Sequence, residues 1–283
     1  MGQNSMQLRA PAKINLSFRI IQRRPDGFHE IETRMAPISL FDEITLSLGE
    51  GGEEVVLFRC DDPTLPTGDD NLAVKAARLF RRETKLPISL TIDLKKRIPH
   101  GAGLAGGSSD AATVLLGLNQ ICGAGLSVTR LSALAAEIGS DVPFFISQSA
   151  AVCRGRGEIV DPAKLEQPLR LLLLKPAFGV ATPWAYGRWK DSKEVPGIDS
   201  QAQEFAGNVF VNDLERPVFE KHLFLAQAKM WLRAQAEVGA ALMSGSGSTL
   251  FAVLREDAEA ETLAVRAKEE LDPELWTHAC ETR

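Results

Sequence analysis

Residues 99–109 have the composition of a loop that binds phosphate, because they read Pro-His-Gly-Ala-Gly-Leu-Ala-Gly-Gly-Ser-Ser. The four glycines let backbone N–H groups approach phosphate oxygens closely. An amphipathic helix is predicted to follow, and its N-terminus would add unpaired N–H donors and a favourable dipole. Ser108 and Ser109 could cap this helix, donate to phosphate or bind a metal ion. Taken alone, the segment also fits an ordinary glycine-rich turn.

Other known phosphate loops fit the segment less well. Gly101, Gly103 and Gly106 have the G-x-G-x-x-G spacing of dinucleotide-binding folds. Such folds need a strand that runs into the first glycine and a carboxylate about 20 residues further on. Here residues 95–99 intervene, and residues 123–127 contain no carboxylate. A dinucleotide oxidoreductase is therefore disfavoured. A P-loop is excluded because no Gly-Lys-Ser/Thr ends the segment, and a protein-kinase loop is excluded because no Val-Ala-Ile-Lys strand follows it.

Lys13, Asn15 and Asp141 are candidates for chemistry at a bound phosphate. Lys13 and Asn15 alternate with apolar residues, so both side chains project from one face of a predicted strand. Asp141 follows a predicted helix and precedes Pro143. An Asp-x-Pro sequence is by itself more typical of a turn aspartate that accepts from its own backbone. Both interpretations of Asp141 are open at this point.

Two further segments have residue types that serve in turns as well as in binding sites. Residues 244–249 (Ser-Gly-Ser-Gly-Ser-Thr) lie between apolar runs and favour a tight hairpin. A nucleophile elbow centred on Ser246 is excluded, since it would need glycine in place of Ser244. Phe28 and His29 follow the turn sequence Arg-Pro-Asp-Gly, and as isolated residues they are typical of a core aromatic and a surface histidine.

The composition restricts the class of protein. The chain has 283 residues, of which 45% are hydrophobic and 24% charged, with a net charge of −5. These values indicate a globular protein of about two domains and argue against nucleic acid or an anionic membrane as the main partner. The four cysteines have no C-x-x-C spacing, which favours reduced thiols. No signal peptide or membrane span is recognised, so a soluble cytoplasmic protein is expected.

Hydrophobic periodicity predicts strands and helices without regular β-α-β alternation. Residues 14–20 alternate with a period of two, as expected of a strand with one buried face. Further strands are predicted at residues 44–48, 55–58, 88–94, 169–174, 240–243, 250–254 and 276–280, and helices from about residue 70 and at 111–118, 131–138, 219–235 and 257–270. Residues 191–207 are polar and are predicted to form a loop. We therefore predict an α+β fold in two domains, residues 1–160 and 161–283.

Together these segments resemble the signatures of the GHMP small-molecule kinases. Residues 99–109 are similar to the phosphate-binding motif of that superfamily, and residues 11–16 (Pro-Ala-Lys-Ile-Asn-Leu) and 244–247 to its other two motifs. Within the superfamily, residues 24–30 (Arg-Pro-Asp-Gly-Phe-His-Glu) and 139–144 (Gly-Ser-Asp-Val-Pro-Phe) resemble the kinases of 4-diphosphocytidyl-2-C-methyl-D-erythritol, which serve non-mevalonate isoprenoid biosynthesis.

The resemblance implies a GHMP kinase fold with an N-terminal domain like ribosomal protein S5 domain 2 and a ferredoxin-like C-terminal domain. It implies that ATP phosphorylates the 2-hydroxyl of this substrate, with Mg²⁺ expected and its ligands left open. Asp141 would be the general base, and Lys13 would orient the hydroxyl and offset charge in the transition state. The ATP phosphates would lie on the loop formed by Pro99, His100, Gly101, Ala102, Gly103, Leu104, Ala105, Gly106, Gly107, Ser108 and Ser109.

The resemblance also places the cytidine end of the substrate. Phe28 would stack on the cytosine and His29 would hydrogen-bond to it, with Tyr186 as a second aromatic on the other side of the base. Asn15 would contact erythritol or phosphate oxygens.

The sequence departs from the family pattern at three positions. Ala102 and Ala105 stand where glycine is common, and Phe28 replaces the usual tyrosine. The alternatives are another GHMP kinase, acting on mevalonate, homoserine or a sugar, and a non-catalytic relative that binds nucleotide.

Overall fold

The computed structural model describes residues 4–49 and 55–283, which form two sheets flanked by helices. The strands are β1 (Ser5–Arg23), β2 (His29–Leu48), β3 (Val56–Cys60), β4 (Leu90–Lys95), β5 (Ala151–Gly155), β6 (Ile159–Pro162), β7 (Arg170–Lys175), β8 (Gln203–Phe205), β9 (Asn208–Asn212), β10 (Val238–Met243), β11 (Leu250–Leu254) and β12 (Trp276–Glu281). The helices are α1 (Leu72–Thr84), α2 (Gly106–Ile121), α3 (Val128–Ile138), α4 (Val142–Ile146), α5 (Thr182–Arg188), α6 (Glu215–Lys221), α7 (Leu223–Ala234) and α8 (Ala260–Glu270). None of the helices in these two ranges is long and apolar enough to cross a membrane.

The larger sheet is built on the long antiparallel hairpin of β1 and β2. Its strand order is β3-β4-β2-β1-β9-β8, with β5 and β6 branching from β2. The predicted alternation along β1 is confirmed at its buried face, which carries Ile14 and Leu16. The β1–β2 register shifts between Pro11 and Lys13, and the Lys13 N–H donates to the Leu104 carbonyl at 3.1 Å. The hydrogen bond at this register shift connects β1 to the glycine-rich loop.

The smaller sheet has the strand order β10-β11-β7-β12, and all its neighbours are antiparallel. Helices α7 and α8 pack on one face, where Leu225, Leu232 and Leu263 join the apolar cluster beneath the sheet. Along the chain, the first and last strands of this sheet are β7 and β12, and they lie side by side, as they do in ferredoxin-like folds. The prediction of a ferredoxin-like C-terminal half is therefore confirmed.

One apolar cluster, the shared core, contains residues from both halves of the chain. Ile14 and Ile38 of the larger sheet meet Leu171, Phe210 and Phe251 in it. In addition, β9 lies in the second half of the chain but pairs in parallel with β1. The division of the chain at residue 160 therefore stays a prediction, because the packing runs across it.

Several elements differ from the sequence-based expectation. The helix predicted at 219–235 is two helices, α6 and α7, which break at His222 (φ −115°, ψ 72°). The loop predicted at 191–207 contains β8, and β5, β6, β9, α4 and α5 were not predicted. Helix α3 ends at Ile138, as the predicted range 131–138 requires, and its C-cap Gly139 is extended (φ −178°). The missed elements are short, and two of the strands among them, β5 and β9, pair with β2 and β1, which are distant in sequence.

Candidate active site

A cavity of about 1010 Å³ lies between the two halves of the chain, where the three signature motifs meet. Its wall includes β1, the start of α2, the turn between β10 and β11, and Asp141. Small-molecule sites commonly enclose roughly 300–1,000 Å³, so this cavity is at the upper end of that range. Its charged lining consists of the cations Lys13, Arg23, Lys96, Arg156 and Lys190 and the carboxylates Asp70, Asp110, Asp141 and Asp191.

The backbone of the glycine-rich loop leads directly into α2. Gly101 (φ 62°) and Gly103 (φ 76°) are left-handed, and Ala105 (φ 56°) is left-handed although it carries a Cβ. This conformation costs a non-glycine residue about 1–2 kcal/mol, which explains why glycine is common at that position. The helix predicted to follow residues 99–109 begins inside that segment, because α2 starts at Gly106, and its N-cap is Ala105 rather than Ser108 or Ser109.

The loop turns mostly backbone toward the cavity. Nine of the residues predicted to bind ATP line it, namely Pro99, His100, Gly101, Ala102, Gly103, Ala105, Gly106, Gly107 and Ser108. Leu104 and Ser109 are instead buried behind the loop, in the apolar interior and in α2. Of the two serines, only Ser108 is on the cavity wall.

Lys13 is fixed in place by three neighbours on the cavity wall. Its Nζ donates to Asn15 Oδ1 at 2.7 Å and to the Gly103 carbonyl at 2.9 Å, and it lies 3.9 Å from Asp141 Oδ2. Asn15 in turn donates to Thr33 Oγ1 at 2.8 Å. The predicted placement of Lys13 and Asn15 on one face of β1 is confirmed by their hydrogen bond. Burial lowers the pKa of Lys13, and the Asp141 charge opposes that effect.

Asp141 stands at the N-cap of α4 with its carboxylate unused by the helix. The turn interpretation required that carboxylate to accept from its own backbone, and no such bond forms at this cap. The Asp141 side chain is 38% exposed, whereas that of Lys13 is only 4% exposed. The pair therefore combines a carboxylate that a ligand can reach with a buried cation.

The turn between β10 and β11 packs directly on the glycine-rich loop. Ser244 Oγ donates to the Gly103 carbonyl at 3.0 Å, and the Thr249 N–H donates to the Ala102 carbonyl at 3.2 Å. A Cβ on Gly103 would collide with the Ser244 carbonyl oxygen. The segment predicted as a simple hairpin is thus part of the cavity wall, where its Gly245 is exposed to ligands.

Two buried residues that the sequence analysis did not single out hold this turn. Asn212 donates to the carbonyls of Met243 and Gly245, both at 2.7 Å. Glu215 accepts from the Met243 N–H at 2.9 Å and pairs with Lys229. Burial raises the pKa of Glu215, and the Lys229 charge opposes this shift. The only signal was the short polar run at residues 212–216, a few residues after the predicted loop, and such a run is also typical of surface turns.

Aromatic side chains line the other end of the cavity. The His29 ring lies 5.2 Å from the Tyr186 ring and 6.0 Å from that of Trp189, between centroids. Phe28 is 51% exposed, and the Arg156 guanidinium lies 4.8 Å from its ring centroid. Burial lowers the pKa of His29, which favours the neutral imidazole that can both donate and accept. Trp189 was not among the predicted site residues.

The basic run at residues 95–97 contributes one side chain to the cavity, Lys96. Its Nζ pairs with Asp42 and with Asp110, the latter at 3.0 Å. Burial raises the pKa of Asp110 to about 7, and its Oδ1 has no hydrogen-bond partner among the described residues. Over residues 4–49 and 55–283 no three His, Cys, Asp or Glu side chains form a metal cluster. A Mg²⁺ ion held mainly by phosphates could still take Asp110 and Ser108 oxygens as ligands.

Comparison with known proteins assigns the chain to a family. Residues 71–149 match the family model for the GHMP kinases N terminal domain, and residues 198–272 match GHMP kinases C terminal. A 4-diphosphocytidyl-2-C-methyl-D-erythritol kinase of Methylacidiphilum infernorum is 44% identical over 271 residues, which cover 94% of this chain and 93% of the relative. The chain belongs to this family of GHMP kinases. A second such kinase, from Geobacter metallireducens, is 37% identical over 92% of the chain and 93% of its own length.

Solved structures agree with this assignment. A crystal structure of 4-(cytidine 5'-diphospho)-2C-methyl-D-erythritol kinase matches this kinase with a TM-score of 0.79 and 35% identity, over 98% of this chain and 99% of that one. Homoserine kinase from Cytophaga hutchinsonii shares the fold, with a TM-score of 0.67 at 18% identity over 99% and 95% of the two chains. The predicted two-domain α+β GHMP kinase fold is therefore confirmed. The chain is a phosphotransferase with ATP as co-substrate.

Proposed function

We propose that this kinase transfers the γ-phosphoryl group of ATP to the 2-hydroxyl of 4-diphosphocytidyl-2-C-methyl-D-erythritol, a step of non-mevalonate isoprenoid biosynthesis. One observation carries the proposal: a glycine-rich loop, the Lys13–Asp141 pair and an aromatic group line a single cavity. The loop suits ATP, the charged pair suits an alcohol nucleophile, and the aromatic group suits a flat base. The relatives named above for this activity support the same substrate.

The loop at residues 99–109 would bind the ATP phosphates mainly through backbone N–H groups. Gly106 and Gly107 form the first turn of α2, where unpaired N–H groups and the helix dipole attract anions. Ser108 adds a hydroxyl on the cavity wall. Lys13 is tied to the Gly103 carbonyl of this loop, so its ammonium would lie beside the terminal phosphate.

Asp141 would accept the proton of the attacking 2-hydroxyl. As that oxygen bonds to the γ-phosphorus, the bond from phosphorus to the oxygen bridging the β- and γ-phosphates breaks and ADP leaves with the electron pair. The Lys13 ammonium would offset the negative charge in the transition state. Asn15 already uses its Oδ1 on Lys13 and one Nδ2 hydrogen on Thr33, so the second Nδ2 hydrogen is the donor left for a substrate oxygen.

A magnesium ion fits the loop end of the cavity. Asp110 is buried with one oxygen that no described residue partners, and Ser108 lines the same wall, so both are oxygen ligands of the kind that Mg²⁺ accepts beside ATP phosphates. When bound, the ion would supply charge neutralisation at those phosphates. Lys96 lies between Asp42 and Asp110 and would keep this acidic pair from repelling ATP.

The aromatic end of the cavity would bind the cytosine. Phe28 offers an exposed ring face, and His29 offers ring nitrogens for the polar edge of the base. Tyr186 packs on His29 and so supports that ring as well as bounding the site. Trp189 also contacts His29 and extends the aromatic wall.

A panel of alcohols with ATP tests the proposed function. In a coupled assay for ADP, we expect turnover of 4-diphosphocytidyl-2-C-methyl-D-erythritol. For mevalonate, homoserine and galactose we expect kcat/KM to be lower by a factor of at least about 100. The aromatic end of the cavity has no flat base to bind in those alcohols. Preference for one of them would indicate a different GHMP kinase. Tight nucleotide binding without ADP formation from any alcohol would indicate a non-catalytic relative.

Phe28→Ala is expected to raise the KM for the cytidylyl substrate by about five- to a hundredfold, the scale of losing one base–aromatic stack. The kcat should change little, because Phe28 lies at the end of the cavity away from Lys13. Ile21→Ala is a matched control, since Ile21 is an apolar β1 residue that is 60% exposed outside the cavity lining. Steady-state kinetics at saturating ATP give both constants. Equal KM values for the two variants would remove Phe28 from the substrate site.

A further inference from the structure

The hairpin turn between β5 and β6 places a cation between the two ends of the cavity. The turn reads Gly155-Arg156-Gly157-Glu158, and both glycines are left-handed (φ 73° and 116°). A Cβ built on Gly157 would lie 3.7 Å from Asp141 Oδ1 and 3.5 Å from the Ser140 carbonyl. The turn therefore packs against the proposed general base on one side. On its other side Arg156 reaches the ring of Phe28.

Arg156 presents its guanidinium to the cavity with most of its donors unused. Its Cζ lies 4.8 Å from the Phe28 ring centroid, and the side chain lines the cavity. Among the described residues the one carboxylate within ion-pair distance is Glu158, 3.7 Å from Nε. No hydrogen bond from the Arg156 side chain to the described part of the chain is formed. By contrast, the nearby Arg24 is engaged by both Asp26 and Glu30.

The geometry points to Arg156 as the residue that binds the diphosphate joining the cytidine to the sugar alcohol of the substrate. This inference rests on the proposed function, which puts the base at Phe28 and the reacting hydroxyl at Asp141. The diphosphate is the part of the molecule between those two groups, and Arg156 belongs to the turn that packs against both residues. A guanidinium can lay its face on an aromatic ring while its edge donates two parallel hydrogen bonds to phosphate oxygens.

This position gives Arg156 a part in specificity. A diphosphate without a cation would lie near the Asp141 carboxylate in a partly enclosed cavity, where the like charges repel. Arg156 would offset that repulsion, so that ligands with the diphosphate are favoured over cytidine or the free sugar alcohol. The Phe28 ring holds the guanidinium plane and limits the side-chain freedom lost on binding.

Titration calorimetry with CDP and with cytidine tests the inference. Arg156→Gln should weaken CDP binding by about ten- to a hundredfold, the scale of lost hydrogen bonds to a charged group, and change cytidine binding by less than about threefold. Arg156→Lys keeps the positive charge but lacks the paired donors of the guanidinium, so its affinity for CDP should lie between those of the native enzyme and Arg156→Gln. In turnover, the KM for the cytidylyl substrate should rise with Arg156→Gln by the same factor as the CDP dissociation constant, at nearly unchanged kcat.

Arg154→Gln is the matched control for these variants. Arg154 lies two residues away on β5 and pairs with Glu32 and Asp161 outside the cavity lining, so its loss should leave both ligands unaffected. The inference is overturned if CDP binding is unchanged in Arg156→Gln, or if CDP and cytidine weaken equally, which would mean that Arg156 acts only on the base stack. Tighter cytidine binding would show that Arg156 covers the face of Phe28 that the base needs, and would also overturn it. Native enzyme that binds no CDP and leaves the cytidylyl substrate unphosphorylated overturns the proposed function itself.

Discussion

Asp141→Asn is expected to lower kcat by a factor of about 10²–10⁴, the range for a positioned general base. The amide has the same shape as the carboxylate, but it cannot take a proton from the substrate hydroxyl. Because the Asp141 carboxylate takes no part in capping α4, the substitution should leave that helix start intact. The loss of one negative charge also leaves the Lys13 ammonium without its partner at 3.9 Å.

Measurement of ADP formation at saturating ATP and cytidylyl substrate gives the kcat of this variant. Asp161→Asn is the matched control, since the Asp161 side chain is 60% exposed and pairs with Arg154. The KM values should change less than about threefold, as expected when an interaction of the transition state is lost rather than one of the ground state. A kcat for Asp141→Asn within tenfold of the control would contradict the role of Asp141 as base.

Gly103→Ala is expected to damage both stability and activity. Gly103 has φ 76°, and a Cβ there would collide with the Ser244 carbonyl and lie 3.0 Å from that of Gly247. Both obstacles are backbone atoms, so the loop and the β10–β11 turn must separate. The left-handed strain and the overpacking together should cost about 2–5 kcal/mol. Because the Gly103 carbonyl accepts from Lys13, the displacement would also move that ammonium, and a shift of about 1 Å can cost a hundredfold in rate.

Gly125→Ala separates this collision from the general cost of a left-handed alanine. Gly125 has φ 68°, and a Cβ there would meet nothing within 4 Å. It lies outside the cavity lining, so we expect a loss of about 1 kcal/mol and native activity. Chemical denaturation and the coupled assay measure the two effects. If Gly103→Ala and Gly125→Ala were equally stable, close packing between the loop and the turn would not be the reason for glycine at position 103.

The parts of the site predictable from sequence are those encoded by local patterns. The glycine-rich segment before an apolar helix predicts a phosphate loop, and the alternation along β1 places Lys13 beside Asn15. The start of α2 at Gly106 was missed because its N-cap, Ala105, has a left-handed conformation that is rare for alanine. The hydrophobic periodicity of a helix does not indicate the backbone conformation of its N-cap residue.

The parts that escaped prediction depend on contacts between distant segments. Asn212 and Glu215 hold the β10–β11 turn only because β9 joins the sheet through β1, nearly 200 residues earlier in the chain. Trp189 and Arg156 lie in a helix end and a hairpin turn, where many residue types are accepted. Only the folded chain shows that both face the cavity. The break between α6 and α7 likewise interrupts an apolar pattern that runs on without a glycine or proline at His222.

The shared core has a consequence for how ligands enter and leave. Separation of the two sheets as rigid bodies would expose four side chains of this core to water, at a cost of about 1.5–3 kcal/mol for each. These are Ile14, Ile38, Leu171 and Phe251. The free energy of such a separation is therefore too large for it to occur in every turnover. The two walls therefore keep their relative position during turnover, and ligands exchange through the open side of the cavity without separation of the two sheets.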